Sequence, residues 1–333
     1  MSFRDEYLSA LPHLTAADAP AAALGLFRYQ ARQCAPYREY LRTLGRDPQA
    51  VTRLEDIPFL PIEFFKTHNV RTDASEWAPA ETFLSSGTTQ QQRSHHYVRD
   101  PLLYRQHAAR IFEHYYGPLT HWTVLALLPS YLEQGQSSLV AMVDYFAQQS
   151  GQYQGAFFLH NHKALLAALR EAQQDTSRQV LLIGVSYALL DLVEAYAGDP
   201  ALHGLTVLET GGMKGRRREM IREELHEELR KGFGPVGIHS EYGMTELLGQ
   251  AYSFGDGRFY APPQLRILLR DPSDPFSVST SLEAGAINII DLANVDSCAF
   301  IETKDLARMH PDGSFEVLGR LDNSDIRGCN QMV

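Results

Sequence analysis

The chain has 333 residues, of which 44% are hydrophobic and 21% are charged, and its formal net charge is −10. These values are typical of a folded globular protein, and the length predicts one large α/β domain or a large domain with a smaller one. The acidic balance argues against non-specific binding to nucleic acid or anionic membranes, because both need clustered lysine and arginine. A local anion site is compatible with it, since backbone N–H groups bind phosphate whatever the net charge.

The three cysteines and the first residues predict the compartment. Cys34, Cys298 and Cys329 are far apart and form no CxxC pair, which indicates neither a disulfide framework nor a zinc site. The N-terminal residues MSFRDEYLSALPHL lack the apolar stretch of a signal peptide. No apolar run approaches the roughly 20 residues that span a bilayer. We therefore expect a cytoplasmic protein without stable membrane insertion.

Along the chain the hydrophobic pattern changes from helical to alternating. Residues 21–45 have helical spacing of apolar positions, and Pro58 and Pro61 then exclude a regular helix. Short apolar runs that end in turn residues predict buried strands at 123–130, 179–186, 205–212 and 237–243. Between them, helical patterns occur at 138–149, 163–174 and 216–234, the last with Gly232 as its predicted cap. This alternation predicts βαβ units and a largely parallel sheet, with ligands bound beyond the carboxyl ends of its strands.

After Asp256 the segments are short and β-like. Residues 286–292, 298–309 and 314–321 are typical of strands, and Pro311-Asp312-Gly313 predicts a hairpin turn. The predicted fold class is therefore α/β. We expect a large N-terminal domain over residues 1–255, with mainly parallel sheets flanked by helices, and a small β-rich subdomain over residues 256–333.

The first segment that suggests chemistry is residues 82–89, where hydroxyl side chains surround a glycine. Such a loop can wrap a phosphate with N–H and O–H groups, because glycine allows a close approach of the backbone. Clusters of this composition are more often plain turns, so the pattern alone leaves both interpretations open.

The second segment is residues 241–246, EYGMTE, which follows a predicted strand. Its tyrosine can stack on a base, its threonine can bond a phosphate oxygen and its glutamate can hold Mg²⁺. The alternative is a strand-to-helix turn with the threonine and glutamate near the helix N-terminus.

The third segment is residues 302–328, where an acid, a hairpin and Gly-Arg-x-Asp follow one another. Asp305 can accept hydrogen bonds from sugar hydroxyls, and Arg320 can donate to sugar or phosphate oxygens. The order of these features is more specific than any one of them.

In the same order along the chain, these segments resemble the signature motifs of the ANL adenylating superfamily, which includes acyl-CoA synthetases, nonribosomal-peptide adenylation domains and firefly-type luciferases. The matching motifs are SSGTT, EYGMTE, TKDLARMHPDGSFEVLGRLD and the following IRG. IPFLPIEFFKT, ETGGMKGRRRE and the terminal RGC look closer still to one branch. That branch is the acyl-protein synthetases of the bacterial bioluminescence fatty-acid reductase complex and their non-luminous relatives. The resemblance implies an ANL-type fold.

The resemblance also implies a role for each matching residue. The phosphate loop for the ATP β- and γ-phosphates would be formed by Ser85, Ser86, Gly87, Thr88 and Thr89. Gly211 and Gly212 would border the adenine and acyl pocket, and Tyr242, followed by Gly243 and Met244, would stack on adenine. Thr245 would contact the α-phosphate and Glu246 the Mg²⁺, while Asp305 and Arg320 would bind the ribose. The implied reaction is attack of a carboxylate on the α-phosphorus of ATP, which gives acyl-adenylate and pyrophosphate.

The chain departs from the family pattern at three points. Gln90-Gln91-Gln92-Arg93 replaces the usual glycine and lysine, and Arg93 would supply the lysine's charge. Lys304 stands where the family usually has glycine. Full-length relatives continue after the GRLD-like hinge into a further domain with a catalytic lysine, and we expect this chain to lack that domain.

Cys329 is the expected replacement for the missing delivery domain. On the resemblance, its thiolate attacks the acyl-adenylate and holds the acyl group as a thioester, which passes to a partner such as a reductase. The thiol needs a lowered pKa or a base, for which Arg327 and the His95-His96 pair are candidate sources. The alternative is an incidental cysteine in a frayed terminus.

Two other functions stay open. The protein could be an acyl- or aryl-CoA ligase in which free coenzyme A takes the acyl group, or a non-catalytic nucleotide- or acyl-binding regulatory subunit. His160-Asn161-His162 could present two imidazoles to a metal, but no third ligand is evident in the sequence nearby.

Overall fold

The computed structural model describes residues 2–86, 92–129, 135–151, 156–212, 217–218, 220–235, 237–279 and 281–321. The helices are α1 Phe3–Ala10, α2 Ala19–Gln33, α3 Ala35–Thr43, α4 Phe64–Thr67, α5 Pro101–Tyr116, α6 Ser138–Gln149, α7 His162–Ala172, α8 Ser186–Tyr196 and α9 Arg222–Phe233. The strands are β1 Leu60–Pro61, β2 Glu81–Leu84, β3 His95–Val98, β4 Trp122–Leu127, β5 Gln179–Val185, β6 Thr206–Thr210, β7 Ile238–Tyr242, β8 Ala251–Ser253, β9 Arg258–Tyr260, β10 Leu265–Asp271, β11 Asp274–Ser279, β12 Ala284–Asp291, β13 Phe300–Met309 and β14 Phe315–Arg320.

The chain divides into two compact units, each made of separate stretches of sequence. Unit 1 comprises residues 1–107, 245–249 and 260–333, and unit 2 comprises residues 108–244 and 250–259. The EYGMTE motif is therefore divided, with Met244 in unit 2 and Thr245 in unit 1. The division at residues 255 and 256 that the sequence suggests stays a prediction.

Unit 2 is built on the parallel sheet that the sequence predicts. Strands β4, β5, β6 and β7 pair in parallel in that order, and β8 is antiparallel to β7. Every residue of β4 is buried, as expected for a strand covered on both faces. The alternating βαβ pattern is thus confirmed.

Helix α9 ends two residues later than the predicted cap implies. Gly232 lies inside the helix, where a Cβ would meet Val193 Cγ1 of α8 at 2.6 Å, so this glycine allows close helix packing. The helix stops at Gly234, whose φ of +81° a glycine adopts without strain. The predicted cap at Gly232 is therefore wrong.

Unit 1 contains an antiparallel sheet, as the β-like texture after residue 256 predicts. Its strand order is β11-β10-β12-β13-β14, and β1 adds to β13 in parallel. The predicted hairpin at residues 311–313 joins β13 and β14, with Gly313 at a φ of +84°. Each antiparallel pair follows from a short connection along the chain.

The helical pattern at residues 21–45 forms two helices rather than one. Helix α2 ends at Gln33, Cys34 is extended, and Pro36 lies in the first turn of α3. Tyr37 is fully buried, lies 6.1 Å from the Phe300 ring of β13, and donates its hydroxyl proton to the Pro58 carbonyl at 2.6 Å. These contacts join the N-terminal helices to the C-terminal sheet within unit 1.

Within the described ranges, none of the helices combines the length and apolarity that crossing a bilayer requires. The predictions of a cytoplasmic location and of no nucleic-acid partner stay predictions.

Candidate functional site

The base of the predicted phosphate loop is a short antiparallel ladder in unit 1. Strands β2 and β3 pair from Glu81 with Val98 to Leu84 with His95. The Ser85 N–H donates to the Ser94 carbonyl at 3.2 Å, and the Ser94 N–H donates to Ser85 Oγ at 2.9 Å. Two reciprocal bonds thus close the chain between these serines into a loop.

The rest of that predicted loop is described only in part. Ser86 and Arg93 are exposed. Gly87, Thr88 and Thr89, together with Gln90 and Gln91, lie outside the described residues, so their predicted phosphate contacts stay predictions.

Glu246 is the most buried of the acidic residues implicated by the motifs. Its side chain lies in unit 1 and the residue is only 5% exposed. Burial raises the pKa of its carboxyl, whereas a hydrogen bond with Ser94 and the positive charges of Lys66 and Arg320 partly offset the rise. A carboxylate in this setting gains from any further cation nearby.

Asp305 and Arg320 lie side by side, as their predicted shared role requires. They are directly paired in the β13–β14 register, and Arg320 Nε lies 3.4 Å from Asp305 Oδ1. The Arg320 side chain is 72% exposed, so most of the guanidinium remains open to a ligand. Unit 1 therefore groups Glu246, Arg320 and Asp305 through one arginine.

Two residues of this group were not singled out from the sequence. Lys66, exposed at the end of the short helix α4, carries one of the charges that act on Glu246. Ser94 is buried and contacts both the loop base and Glu246. Both lie in stretches that the sequence analysis quoted, but only the fold brings them to residue 246.

Lys304, the second departure from the family pattern, forms an ion pair with Glu63. Its backbone carbonyl accepts a hydrogen bond from the Leu321 N–H at 2.6 Å, just after β14. The lysine side chain is therefore engaged away from its neighbour Asp305, to which the motif assigns the ribose.

In unit 2, the end of β6 turns sharply at Gly211 and Gly212. Their φ angles are +78° and +65°, both in the left-handed region that side chains other than glycine adopt only with strain. Both residues are exposed. The pair of glycines is therefore required by the backbone, whatever ligand the turn borders.

Tyr242 ends the neighbouring strand β7 and is only 8% exposed. Its ring meets the Phe259 ring edge-on at 5.9 Å. Gly243 follows because a Cβ there would lie 2.2 Å from Glu241 Oε1. Met244 completes the part of the motif that belongs to unit 2, and the predicted stacking of Tyr242 on adenine stays a prediction.

Two carboxylates on β6 and β7 have opposite pKa shifts. Burial raises the pKa of Glu241 to about 7, although Thr210 Oγ1 donates to it at 2.5 Å. Burial acts the same way on Glu209, but hydrogen bonding to His226 and the Arg222 charge outweigh it and lower the pKa. Sequence patterns gave no indication of Glu209, because its partners lie on other elements.

The cysteines differ in what the structure says about them. Cys34 and Cys298 are free and buried, and burial raises the pKa of Cys34 to about 12 and that of Cys298 well above its usual value. Cys329 and Arg327 lie outside the described residues. His96, one of the suggested activators of Cys329, is buried and hydrogen-bonded within unit 1.

The described part of the chain holds no cluster of three or more His, Cys, Asp or Glu side chains suited to a metal ion. In the His160-Asn161-His162 stretch, Asn161 caps α7 by accepting from the Ala164 N–H at 3.0 Å. A magnesium site needs less, since Mg²⁺ commonly binds one or two carboxylates together with substrate phosphates. Glu246 fits that requirement.

No family model and no curated protein sequence matches the chain. Solved structures match its fold. An open conformation of 2-hydroxyisobutyryl-CoA ligase, in complex with 2-HIB-AMP and CoA, has a TM-score of 0.67 and 15% identity over 93% of this chain and 71% of its own. A ternary product complex of malonyl-CoA ligase, with methylmalonyl-CoA and AMP bound, has a TM-score of 0.53 and 17% identity over 83% of this chain and 57% of its own.

ATP-bound MatB from Rhodopseudomonas palustris has a TM-score of 0.53 and 16% identity over 72% of this chain. The match covers 47% of the MatB chain, so this protein spans about half the length of that relative. At such identities the likeness concerns the fold. The mixed α/β architecture with its β-rich C-terminal region is the ANL-type adenylating-enzyme fold, and the predicted fold class is confirmed.

Proposed function

We propose that this protein activates a carboxylic acid with ATP, forming an acyl-adenylate and pyrophosphate. The observation that carries the proposal is the buried Glu246 carboxylate, which lies in unit 1 with Ser94, Lys66 and Arg320 acting on it. An acid held among cationic and hydroxyl groups beside a serine-braced loop suits a nucleotide triphosphate and its metal.

The roles of the residues follow from their chemistry. Glu246 would hold Mg²⁺, which when bound neutralises phosphate charge. Lys66 and the exposed Arg320 would donate to phosphate oxygens, and Asp305 would accept from ribose hydroxyls. Thr245 would contact the α-phosphate. In unit 2, Tyr242 would stack on adenine beside the Gly211–Gly212 turn.

The chemical step is a displacement at phosphorus. A carboxylate oxygen of the acid forms a bond to the α-phosphorus, and the bond from the α-phosphorus to the bridging oxygen breaks, so pyrophosphate leaves. The protein would act by holding the two reactants in line and by stabilising charge, since no side chain needs to bond covalently.

We further propose that Cys329 takes the acyl group. Its thiolate would attack the acyl carbonyl, forming the carbon–sulfur bond while the bond to the AMP oxygen breaks, and the thiol proton would pass to solvent. The support is partly by elimination, because burial raises the pKa of both Cys34 and Cys298. A reductase or another acyl-accepting protein is the proposed final partner, and a fatty acid the proposed substrate.

A second candidate is an acid–CoA ligase, in which free coenzyme A replaces Cys329 as the thiol. The observation that favours it is the fold match to CoA ligases, two of which are captured with CoA or a CoA product. Both candidates share the first half-reaction.

The test incubates the protein with ATP, Mg²⁺ and a panel of fatty and aromatic acids. Pyrophosphate release reports adenylation, and intact mass with and without hydroxylamine reports a thioester. Cys329→Ala should abolish the adduct and leave pyrophosphate formation in the first turnover intact. Ser324→Ala, a hydroxyl in the same segment, is the matched control and should keep the adduct.

Each other outcome favours a different function. A CoA-dependent thioester product without a protein adduct supports the ligase. An adduct that survives Cys329→Ala rejects that residue as the carrier. The absence of pyrophosphate release with every acid, with or without coenzyme A, rejects the enzymatic proposal and favours a nucleotide-binding subunit.

A further inference from the structure

A buried histidine and a buried asparagine hold the two carbonyl groups around the proposed metal ligand. His96, on β3, has Nδ1 at 2.8 Å from the Thr245 carbonyl oxygen and Nε2 at 2.9 Å from Asn294 Oδ1. Asn294 in turn donates from Nδ2 to the Glu246 carbonyl oxygen at 2.7 Å. Consecutive backbone carbonyls are thus bound by one connected pair of side chains.

The orientation of this pair is fixed by the carbonyls themselves. A carbonyl oxygen only accepts, so Asn294 must turn its amide nitrogen toward Glu246 and its oxygen toward the histidine ring. For the same reason Nδ1 of His96 is the donor to Thr245 in either charge state of the ring. The bond to Thr245 therefore does not depend on the ring being protonated.

The other end of the same segment is also held. Asp291 Oδ2 accepts from the Leu248 N–H at 2.6 Å and the Gly249 N–H at 3.1 Å. Asp291, Asn294 and His96 are all at most 1% exposed, so water does not compete for these bonds. Glu246 lies between two fixed points of the main chain.

We infer that His96 and Asn294 are positioning residues, which fix the main chain at Thr245 and Glu246 and so direct the Glu246 carboxylate toward the metal. The inference rests on the proposed function, in which Glu246 holds Mg²⁺. Groups that orient a metal ligand without touching the metal typically change metal affinity or activity by about 10- to 100-fold when removed. His96 and Asn294 act only through residues 245 and 246.

The experiment compares four variants. His96→Leu removes both ring bonds, and His96→Asn keeps an amide donor near the Nδ1 position. Asn294→Asp keeps the shape of the side chain but has no N–H for the Glu246 carbonyl. Tyr37→Phe is the matched control, because it removes an equally buried bond to a backbone carbonyl elsewhere in unit 1.

Two measurements separate positioning from general stability. The first is the Mg²⁺ concentration that half-saturates pyrophosphate release at saturating ATP, together with kcat. The second is binding of Mn²⁺ with ATP, followed by electron paramagnetic resonance. Melting temperatures are recorded for every variant, so that any loss common to the control is recognised as loss of stability.

We expect His96→Leu and Asn294→Asp to raise the half-saturating Mg²⁺ concentration and lower kcat, by about 10- to 100-fold combined. The KM for the carboxylic acid should not change. His96→Asn should recover much of the metal affinity, and Tyr37→Phe should keep the wild-type metal dependence at a lowered melting temperature.

Wild-type metal dependence in both His96→Leu and Asn294→Asp would overturn the inference and leave the proposed function standing. If the wild-type protein binds Mn²⁺ with ATP but releases no pyrophosphate, the binding measurement alone decides, and equal binding by the variants overturns the inference. If the wild-type protein binds no Mn²⁺ with ATP, the proposed function fails and the inference fails with it.

Discussion

Asp291 makes unfolding depend on pH in a way that one substitution should remove. The residue is fully buried, and its carboxyl accepts hydrogen bonds from the N–H groups of Leu248, Gly249 and Ala293. Burial raises its pKa from 3.8 to about 6, and the three hydrogen bonds lower it only in part. The folded protein therefore binds this proton more tightly than the unfolded chain does.

The sign and size of the effect follow from that difference. A folded pKa above the unfolded one contributes stability that is complete below pH 3.8 and is lost as the pH rises through 6. Between pH 8 and pH 5 the contribution amounts to about 1.4 kcal/mol, from a shift of roughly two units at about 1.4 kcal/mol each. Asp291→Asn abolishes this part of the pH dependence.

The amide also costs stability at every pH. Its NH₂ group must face at least one of the three backbone N–H groups, and a buried donor left unpaired costs about 1–3 kcal/mol. We therefore expect Asp291→Asn to be destabilising throughout, and by about 1.4 kcal/mol more at pH 5 than at pH 8.

Urea unfolding followed by tryptophan fluorescence measures this difference. Trp77 lies in unit 1 with Asp291, and Trp122 lies in unit 2, so a Trp122→Phe background reports on unit 1. Equal destabilisation at the two pH values, or a larger loss at pH 8, would refute the reasoning.

Three further predictions concern the site, the backbone and the thiols. Glu246→Gln should lower kcat for pyrophosphate release by about 100-fold or more while the melting temperature stays level or rises, because a buried charge is removed; unchanged turnover in a folded variant would contradict its assigned role. Gly212→Ala should cost about 1–2 kcal/mol in thermal unfolding through its φ of +65°, whereas Gly25→Ala in α2, where a Cβ meets nothing within 4 Å, should stabilise by about 0.4–1 kcal/mol; the same sign for both would show that φ is not the cause. Titration of the native protein with a thiol reagent should modify no more than one of the three cysteines, because Cys34 and Cys298 are buried with raised pKa values; fast reaction of a second thiol before unfolding would count against that assignment.

Those elements that carry their own local pattern could be predicted from the sequence. Strands β4 to β7 are buried on both faces and so appear as continuous apolar runs, and the turn at residues 311–313 is fixed by proline and glycine. The break between α2 and α3 was not predicted, because apolar spacing continues across Cys34 while the backbone does not.

The site was predictable only where its residues form a motif. Glu246, Asp305 and Arg320 were found because neighbouring letters mark them. His96 and Asn294 were not assigned their contacts, because their bonds join residues 149 and 198 positions apart. A long-range bond leaves no periodicity in the sequence, so only the fold identifies it.

The discontinuous composition of unit 1 has a consequence for biosynthesis. Tyr37 needs Phe300, and the surroundings of Glu246 need both Lys66 and Arg320, so the first hundred residues leave the ribosome long before their partners exist. Unit 2 lies within residues 108–259 and can fold while translation continues. The first part of the chain to be made is therefore among the last to be buried, and the nascent protein cannot activate an acid until residue 320 has emerged.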